Sequence, residues 1–159
     1  MEDKTQRIGF FIKVINNQLR CHYNLVLKSY DLTKAQFDTL VFLKKMQEDG
    51  VEVNQRDLET FFHISNPTVS SMLNRLEAKD LIMRKPSKED RRIRYVVITD
   101  KATELISGIS SILSQSRERM FCGLTQEELE EGPKFLEHIL FNLTGKEENE
   151  FDIDFIKAD

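Results

Sequence analysis

The sequence has few of the residues that interrupt helices or cross-link a chain. Its 159 residues include six glycines, three prolines and two cysteines. So few helix-breaking residues make long helices the default expectation. Cys21 and Cys122 are far apart in the sequence, whereas a disulfide framework or a zinc site requires more cysteines at closer spacing. The cysteine content therefore favours a reduced, cytoplasmic environment, and we expect no metal site and no cofactor.

Long apolar segments are also absent. No stretch approaches the roughly 20 apolar residues that a membrane-spanning helix needs. The N-terminal segment MEDKTQRIGF lacks the basic region and the apolar stretch of a secretory signal. We therefore expect no association with a membrane. With 40% apolar and 31% charged residues, the chain has enough apolar content to bury a core of ordinary size.

The negative charge of the protein is unevenly distributed. The formal net charge is −4, yet residues 54–101 carry ten Lys/Arg against seven Asp/Glu, and residues 84–94 carry six against two. Residues 146–159 form an acidic tail, with two basic and six acidic residues. A basic region in an acidic chain is typical of a protein that presents one positive face to a polyanion.

Helical patterns cover most of the chain. Apolar residues recur every three or four positions along residues 5–28, which predicts an amphipathic N-terminal helix. Later helix starts are marked by pairs three residues apart, in which each side chain bonds the other residue's backbone N–H. These pairs are Thr33 with Gln36, Asn54 with Asp57, and Thr125 with Glu128.

Other local signals complete the helix assignment. Thr99 is placed to cap a further long helix, and Gly50, Gly123 and Gly145 follow helical patterns that they are expected to end. Gly132-Pro133 falls inside the last helical pattern. Because proline lacks a backbone N–H, this pair predicts a kink or a restart there.

Two short helices are predicted in succession between residues 54 and 78. Ser65-Asn66-Pro67 opens the second, since Asn before Pro is a favoured helix start. One face of this helix is apolar and the other carries hydroxyls, an amide and an arginine, which is the pattern of a helix-turn-helix. Small polar side chains let such a helix approach the major groove and bond base edges. The predicted DNA contacts are Ser65, Asn66, Thr68, Ser70, Ser71, Asn74 and Arg75.

A β-hairpin follows, with strands near Leu81–Arg84 and Arg94–Thr99 joined by a polar loop. Arginines at the exposed tip of a hairpin beside a helix-turn-helix can enter a minor groove or follow the phosphates. Asp90 is expected to hold one of these arginines through a charge-assisted hydrogen bond. The predicted contacts from the loop are Lys88, Asp90, Arg91 and Arg92, and the predicted phosphate contacts from the preceding helix are Gln55 and Arg56.

Residues 54–105 resemble the DNA-binding region of the MarR family of winged helix-turn-helix regulators. Five short motifs carry the resemblance, namely Pro67–Ser70, Arg75–Glu77, Leu81–Arg84, Asp90–Arg92 and Thr99–Leu105. Where the family usually has glycine, this chain has Asp80 and Ala102. Aspartate tolerates the left-handed backbone conformation at some cost, and alanine suits a helical position.

For the fold, the resemblance implies a mainly α protein. It consists of a winged helix-turn-helix DNA-binding domain with a two-stranded wing, plus N- and C-terminal dimerisation helices. The corresponding segments are residues 1–30 for the N-terminal helix, 31–100 for the winged domain, 101–145 for the C-terminal dimerisation helices and 146–159 for the acidic tail. An obligate homodimer is implied, and its interface is expected to include Phe11, Ile15, Leu19, Phe135, Ile139 and Leu143.

For the function, the resemblance implies a regulator of transcription, expected to be a repressor. A two-fold dimer should bind a pseudo-palindromic operator in double-stranded DNA with its recognition helices about 34–36 Å apart. A small-molecule effector or an oxidant, sensed in the crevice between the dimer helices and the winged domain, is expected to release the DNA.

Two alternative interpretations remain from the sequence. Cys21 could sense an oxidant, although it lies well inside the first helix, away from a helix start that would activate a thiol, and we expect it to be buried. The winged domain could instead serve protein contacts without specific DNA binding. No nucleophile–base or carboxylate pair stands out, so we do not expect an enzyme. His22, His63 and His138 lack the spacing of metal ligands.

Overall fold

The computed structural model of the protein describes residues 2–87, 90 and 92–147. In this part of the chain, six helices and one two-stranded sheet form the mainly α, winged-helix fold that the sequence predicts. The elements are α1 Glu2–Ser29, α2 Lys34–Glu48, α3 Gln55–Phe62, α4 Asn66–Ala78, β1 Ile82–Pro86, β2 Arg94–Ile98, α5 Asp100–Met120 and α6 Gln126–Thr144. The chain divides into two compact units, Met1–Ile109 and Ser110–Asp159, and the boundary between them falls inside α5. Within these described ranges, every helix is too short or too polar to cross a membrane.

The three predicted capping pairs are confirmed. Complete capping boxes precede α2, α3 and α6, with reciprocal bonds between each N-cap residue and the residue three positions later. The Thr99 hydroxyl accepts a hydrogen bond from the Ala102 amide at 3.2 Å, at the start of α5. Helix starts depend on bonds between residues a few positions apart, and for this reason the sequence predicts them well.

The start of α4 differs from the prediction by one residue. Ser65 is the N-cap, and Asn66 and Pro67 already lie in the first turn. The Asn66 side chain is not used as a cap because its Nδ2 donates to the Glu59 carboxylate of α3 at 2.6 Å. Ser65 makes no side-chain capping bond, and its hydroxyl instead bonds the Thr68 hydroxyl at 2.9 Å.

The last helix does not break at Gly132-Pro133. α6 runs without interruption from Gln126 to Thr144, with Pro133 inside it. A proline at this position removes one backbone hydrogen bond, while both ends of the helix are satisfied. The capping box precedes its first turn, and Gly145 adopts a left-handed conformation that lets its amide donate to the Phe141 carbonyl at 2.7 Å.

The first unit has a continuous apolar core around the helix-turn-helix. Helices α2, α3 and α4 and the sheet all contribute to it, and the four apolar residues on the inner face of α4 are buried. The side chains that are almost completely inaccessible to solvent include Leu27, Phe37, Leu40, Leu58, Val69, Leu73, Leu76 and Leu81. This packing fixes the direction of α4, so its opposite face points outward.

Two helices expose apolar faces. In the first unit, α1 buries Val26 and Leu27 near its C-terminal end, and it exposes Phe11, Ile15 and Leu19. In the second unit, α6 contains no buried residue. Phe135 and Leu143 of α6 are exposed, with Leu143 at 79%, and Ile139 is half-buried.

Candidate nucleic-acid interface

The β-hairpin is attached to the beginning of α3. Strands β1 and β2 are antiparallel, with Ile82 opposite Ile98 and Pro86 opposite Arg94. The Val96 amide donates to the Val53 carbonyl at 2.7 Å. These backbone bonds hold the wing beside the helix-turn-helix as part of the same core, so residues on the two structures can act on one ligand.

The outward face of α4 is polar and lies open to solvent. Thr68, Ser71, Asn74 and Arg75 are exposed, and Ser70 is half-buried. A shallow groove of about 610 Å³ runs along this face. Its lining comprises Asn66, Pro67, Ser70, Ser71, Asn74, Arg75 and Ala78. The structure therefore gathers the predicted base-reading residues of α4 on one accessible surface.

Glu59 links the starts of α3 and α4. Its Oε1 accepts hydrogen bonds from Gln55 Nε2 at 3.1 Å and from Asn66 Nδ2 at 2.6 Å. Two of the predicted DNA contacts are thereby fixed relative to one another. Sequence reasoning did not identify Glu59, because its partners on two different helices become neighbours only when the turn between α3 and α4 is formed.

Arg84 links the wing to the recognition helix. It lies on β1, and its guanidinium donates to Asn74 Oδ1 at 2.8 Å and contacts Glu77 Oε2 at 3.2 Å. Asn74 and Glu77 are three residues apart on α4, so the fork of one guanidinium can reach both. Arg84 was not among the predicted contacts, although its place in the Leu-Ile-x-Arg motif of the first strand was a usable signal.

A second depression, of about 490 Å³, lies between the wing and the start of α3. Four arginines and the single carboxylate of Glu59 line it, together with Gln55 and Asn66 of the helix-turn-helix. The four arginines are Arg56, Arg84, Arg92 and Arg94. Asn66 lines both this depression and the α4 groove, so the two form one continuous surface with a net positive charge.

At the wing tip, the Asp90 carboxylate accepts from the backbone amide of Arg92 at 2.9 Å. Its predicted bond to an arginine side chain stays a prediction, because Arg91 of the same tip lies outside the described residues. The Asp90 amide donates to the Ser87 hydroxyl at 3.3 Å, and its carbonyl accepts from the Ile93 amide at 3.0 Å. Asp90 therefore shapes the backbone turn from which Arg92 projects, because its short side chain reaches the nearest amide first.

Two predicted contacts of the wing, Lys88 and Arg91, lie outside the described residues, as does most of the predicted acidic tail, residues 148–159.

Cys21 is exposed, so the expectation of a buried thiol is wrong for the single chain. The reason is its position on α1, in a stretch where this helix has no buried residue. Cys122 is exposed as well. Among the residues with described positions, no cluster of three or more His, Cys, Asp or Glu side chains could hold a metal ion.

Comparisons with known proteins identify the family. The family model described as MarR family matches residues 30–93. The transcription regulator MarR from Oenococcus oeni PSU-1 is 33% identical, with 84% of this chain and 98% of that chain covered and a TM-score of 0.54.

Two structures of MepR from S. aureus are also similar, each at 26% identity. The MepR–DNA complex has a TM-score of 0.75, with 86% of this chain and 99% of that chain covered. MepR bound to ethidium bromide has a TM-score of 0.67, with 86% and 96% covered. Proteins of this family are transcription regulators rather than enzymes. The chain therefore belongs to the MarR family of DNA-binding, winged-helix transcription regulators.

Proposed function

We propose that this protein represses transcription as a homodimer that binds a pseudo-palindromic operator. One observation carries the proposal, namely the continuous surface formed by the α4 groove and the arginine-lined depression. A polar helix face of small side chains suits the major groove, and a cluster of guanidinium groups beside it suits the phosphates. With four arginines and one carboxylate in its lining, the depression carries the positive charge that a phosphate ligand requires.

In the proposed complex, each part of this surface has a separate role. Ser70, Ser71 and Asn74 of α4 contact base edges, and Arg75 contacts a phosphate near the end of the helix. Arg56 at the start of α3 contacts the backbone, and Arg92 of the wing enters the adjacent minor groove. The similarity to MepR, which has been solved in a complex with DNA, supports this docking mode.

The exposed apolar faces of α1 and α6 support the proposed dimer. Phe11, Ile15 and Leu19 on α1, and Phe135 and Leu143 on α6, are exposed in the single chain. Helix faces that expose several large apolar side chains are typical of an interface between subunits. A two-fold dimer places two α4 helices on successive major grooves of one duplex face, about 34–36 Å apart. Because its target is the genome, we place the protein in the cytoplasm.

We further propose that a signal molecule releases the DNA. MepR has been solved bound to ethidium bromide, which supports a small-molecule effector for this chain as well. The exposure of Cys21 favours oxidation as a second candidate signal. A thermal-shift screen tests the first, since a compound that binds only the folded dimer raises its melting temperature. Loss of oxidant-induced release in Cys21→Ser tests the second.

The proposed function is tested by measuring binding to the DNA upstream of the protein's own gene at several salt concentrations. A regulator that neutralises phosphates loses affinity steeply, with a slope of roughly −0.9 per phosphate in a double logarithmic plot. Arg92→Ala should weaken binding and reduce the slope by about one unit. The matched control is Lys45→Ala, which removes an exposed charge from α2 outside the proposed interface. A flat salt response without sequence preference would favour a module for protein contacts.

A further inference from the structure

The contact between Arg84 and Asn74 restricts what Asn74 can offer to DNA. The guanidinium of Arg84 lies 2.8 Å from Asn74 Oδ1. A guanidinium has five N–H donors and no acceptor, whereas an amide side chain has one acceptor oxygen and one NH₂ donor. Only the oxygen of Asn74 can therefore face Arg84, and the two ends of the amide cannot be exchanged while this bond is present.

The donor end of the Asn74 amide consequently points away from Arg84. Asn74 is exposed on the α4 groove. In the described part of the chain, no acceptor is hydrogen-bonded to its Nδ2. The hydroxyls of Ser70 and Ser71, on the same face, can rotate to donate or to accept. The protein therefore determines in advance the hydrogen-bonding polarity of Asn74, with its donor end free for a ligand, whereas the donor end of Asn66 in the same groove is bonded to Glu59.

We propose that Arg84 is a positioning residue that holds Asn74 as a hydrogen-bond donor, so that Asn74 selects guanine over adenine at one position of each operator half-site. This inference rests on the proposed function, in which α4 enters the major groove. Guanine presents two acceptors there, N7 and O6, which the Nδ2 group can reach. Adenine is read by asparagine through N6 and N7 together. That mode requires the oxygen and the NH₂ group to face the base side by side, whereas Arg84 turns the oxygen toward β1.

A role in specificity fits the energetics of the contact better than a role in folding. The side chains of Arg84 and Glu77 are 23% and 41% exposed. Ion pairs this accessible to water contribute little to stability, because solvent screens them and long side chains lose entropy when ordered. Replacing Arg84 should therefore leave the fold intact and release the Asn74 amide to adopt either orientation.

The experiment measures dissociation constants for a set of operators in which each base pair of the half-site is changed in turn. The quantity of interest is the ratio of the dissociation constants for adenine and guanine at the position that Asn74 reads. We expect a ratio of about ten in the wild-type protein, the size of one good base contact. Asn74→Ala identifies the position, because the ratio falls to about one there and stays unchanged elsewhere.

Four variants separate orientation from charge. Arg84→Gln and Arg84→Met remove the donor-only partner, and the ratio should fall to within about twofold of one. Arg84→Lys keeps a donor-only group and should retain most of the preference. Lys85→Gln is the matched control, because it removes the same charge from the neighbouring exposed residue of β1. This variant should weaken binding to all operators equally and leave the ratio of the dissociation constants for adenine and guanine unchanged.

The outcomes distinguish this inference from the proposed function. A wild-type protein that shows no sequence preference contradicts the proposed function, and the inference falls with it. A wild-type preference that survives in both Arg84→Gln and Arg84→Met contradicts the inference alone. A preference for adenine at the Asn74 position contradicts it as well. Melting temperatures close to that of the wild type show that the variants are folded.

Discussion

Asp80 adopts a backbone conformation that glycine adopts more easily. Its φ angle is 58°, in the left-handed region, and it follows the C-terminal end of α4. The conformation is held from both sides, since the Asp80 amide donates to the Glu77 carbonyl at 3.0 Å and its own carbonyl accepts from the Thr99 hydroxyl at 2.8 Å. The departure from the family's glycine therefore leaves the turn in place at a conformational cost.

Replacing Asp80 by glycine should stabilise the protein. Glycine avoids the steric cost of the left-handed conformation, and its greater freedom in the unfolded chain offsets part of this gain. The ion pair that is lost, Asp80 with Lys101 at 3.9 Å, joins two exposed side chains and contributes little. We expect an increase of up to about 1 kcal/mol in the free energy of unfolding, measured as a higher urea midpoint at unchanged m-value.

Two other substitutions control this prediction. Asp80→Asn tolerates the left-handed region equally well and removes the same ion pair, so its midpoint should match that of the wild type. Asp80→Ala introduces a residue that tolerates this region poorly and should lower the midpoint. If Asp80→Gly is less stable than the wild type, the side chain of Asp80 contributes more to the free energy of unfolding than glycine gains by avoiding the steric cost of the left-handed conformation.

At the residue scale, the sequence predicted which side chains face outward but not how they are bonded. The polar face of α4 follows from helical periodicity, and Ser71, Asn74 and Arg75 are exposed accordingly. The bond between Asn74 and Arg84 joins residues ten positions apart on different elements. Such contacts depend on the angle at which β1 leaves α4, and a local pattern carries no information about that angle.

At the element scale, the N-terminal end of α6 has a pH-sensitive cap. The Glu128 carboxylate accepts from the Thr125 amide at 2.8 Å and from the Thr125 hydroxyl at 3.0 Å. These two bonds, the backbone one first, hold the pKa of Glu128 below its usual value. A carboxylate stabilised in this way contributes to the folded state only while it is ionised.

We expect the stability contributed by Glu128 to disappear on acidification. Because its pKa is lower in the folded than in the unfolded protein, the contribution is complete above the usual carboxyl pKa and is lost as the pH falls through the lowered folded value. Glu128→Gln can form the same capping box without ionising. Urea unfolding of both proteins between about pH 6 and pH 3 should show a wild-type advantage that shrinks with decreasing pH. Parallel curves for the two proteins would contradict the prediction.

Helices were predicted well because the residues that start and end them are close together in the sequence. The exceptions are positions where residues outside that short stretch decide the outcome. The box at Thr125 and the glycine at 145 fix both ends of α6. The start of α4 was misplaced by one residue, since the choice between Ser65 and Asn66 depends on Glu59 of the preceding helix. Likewise, the helix does not restart at Pro133, because one missing hydrogen bond does not outweigh the remaining bonds of a continuous helix.

At the scale of the whole molecule, the apolar faces of α1 and α6 connect the fold to the proposed function. Both were predicted from sequence periodicity, but the sequence could not show whether they pack within the chain or against another one. Their exposure in the single chain favours the second alternative. A regulator that recognises two half-sites needs both copies on the same duplex, because binding one half-site tethers the second module next to the other.

Leu143→Asp should therefore convert the dimer to a monomer and weaken operator binding. Leu143 is 79% exposed in the single chain, so the substitution does not disturb the core. Each subunit of a two-fold dimer contributes this residue to the interface, so the substitution places two unpaired carboxylates in apolar surroundings. We therefore expect the affinity for the full operator to fall by roughly a hundredfold or more. Sedimentation measures the assembly state, and DNA titration measures the affinity.

The matched control for this prediction is Val51→Asp. Val51 is also exposed but lies outside the proposed interface, so the variant should remain dimeric. A Leu143→Asp protein that stays dimeric with wild-type affinity would remove α6 from the proposed interface, and a monomeric wild-type protein would contradict the dimer itself.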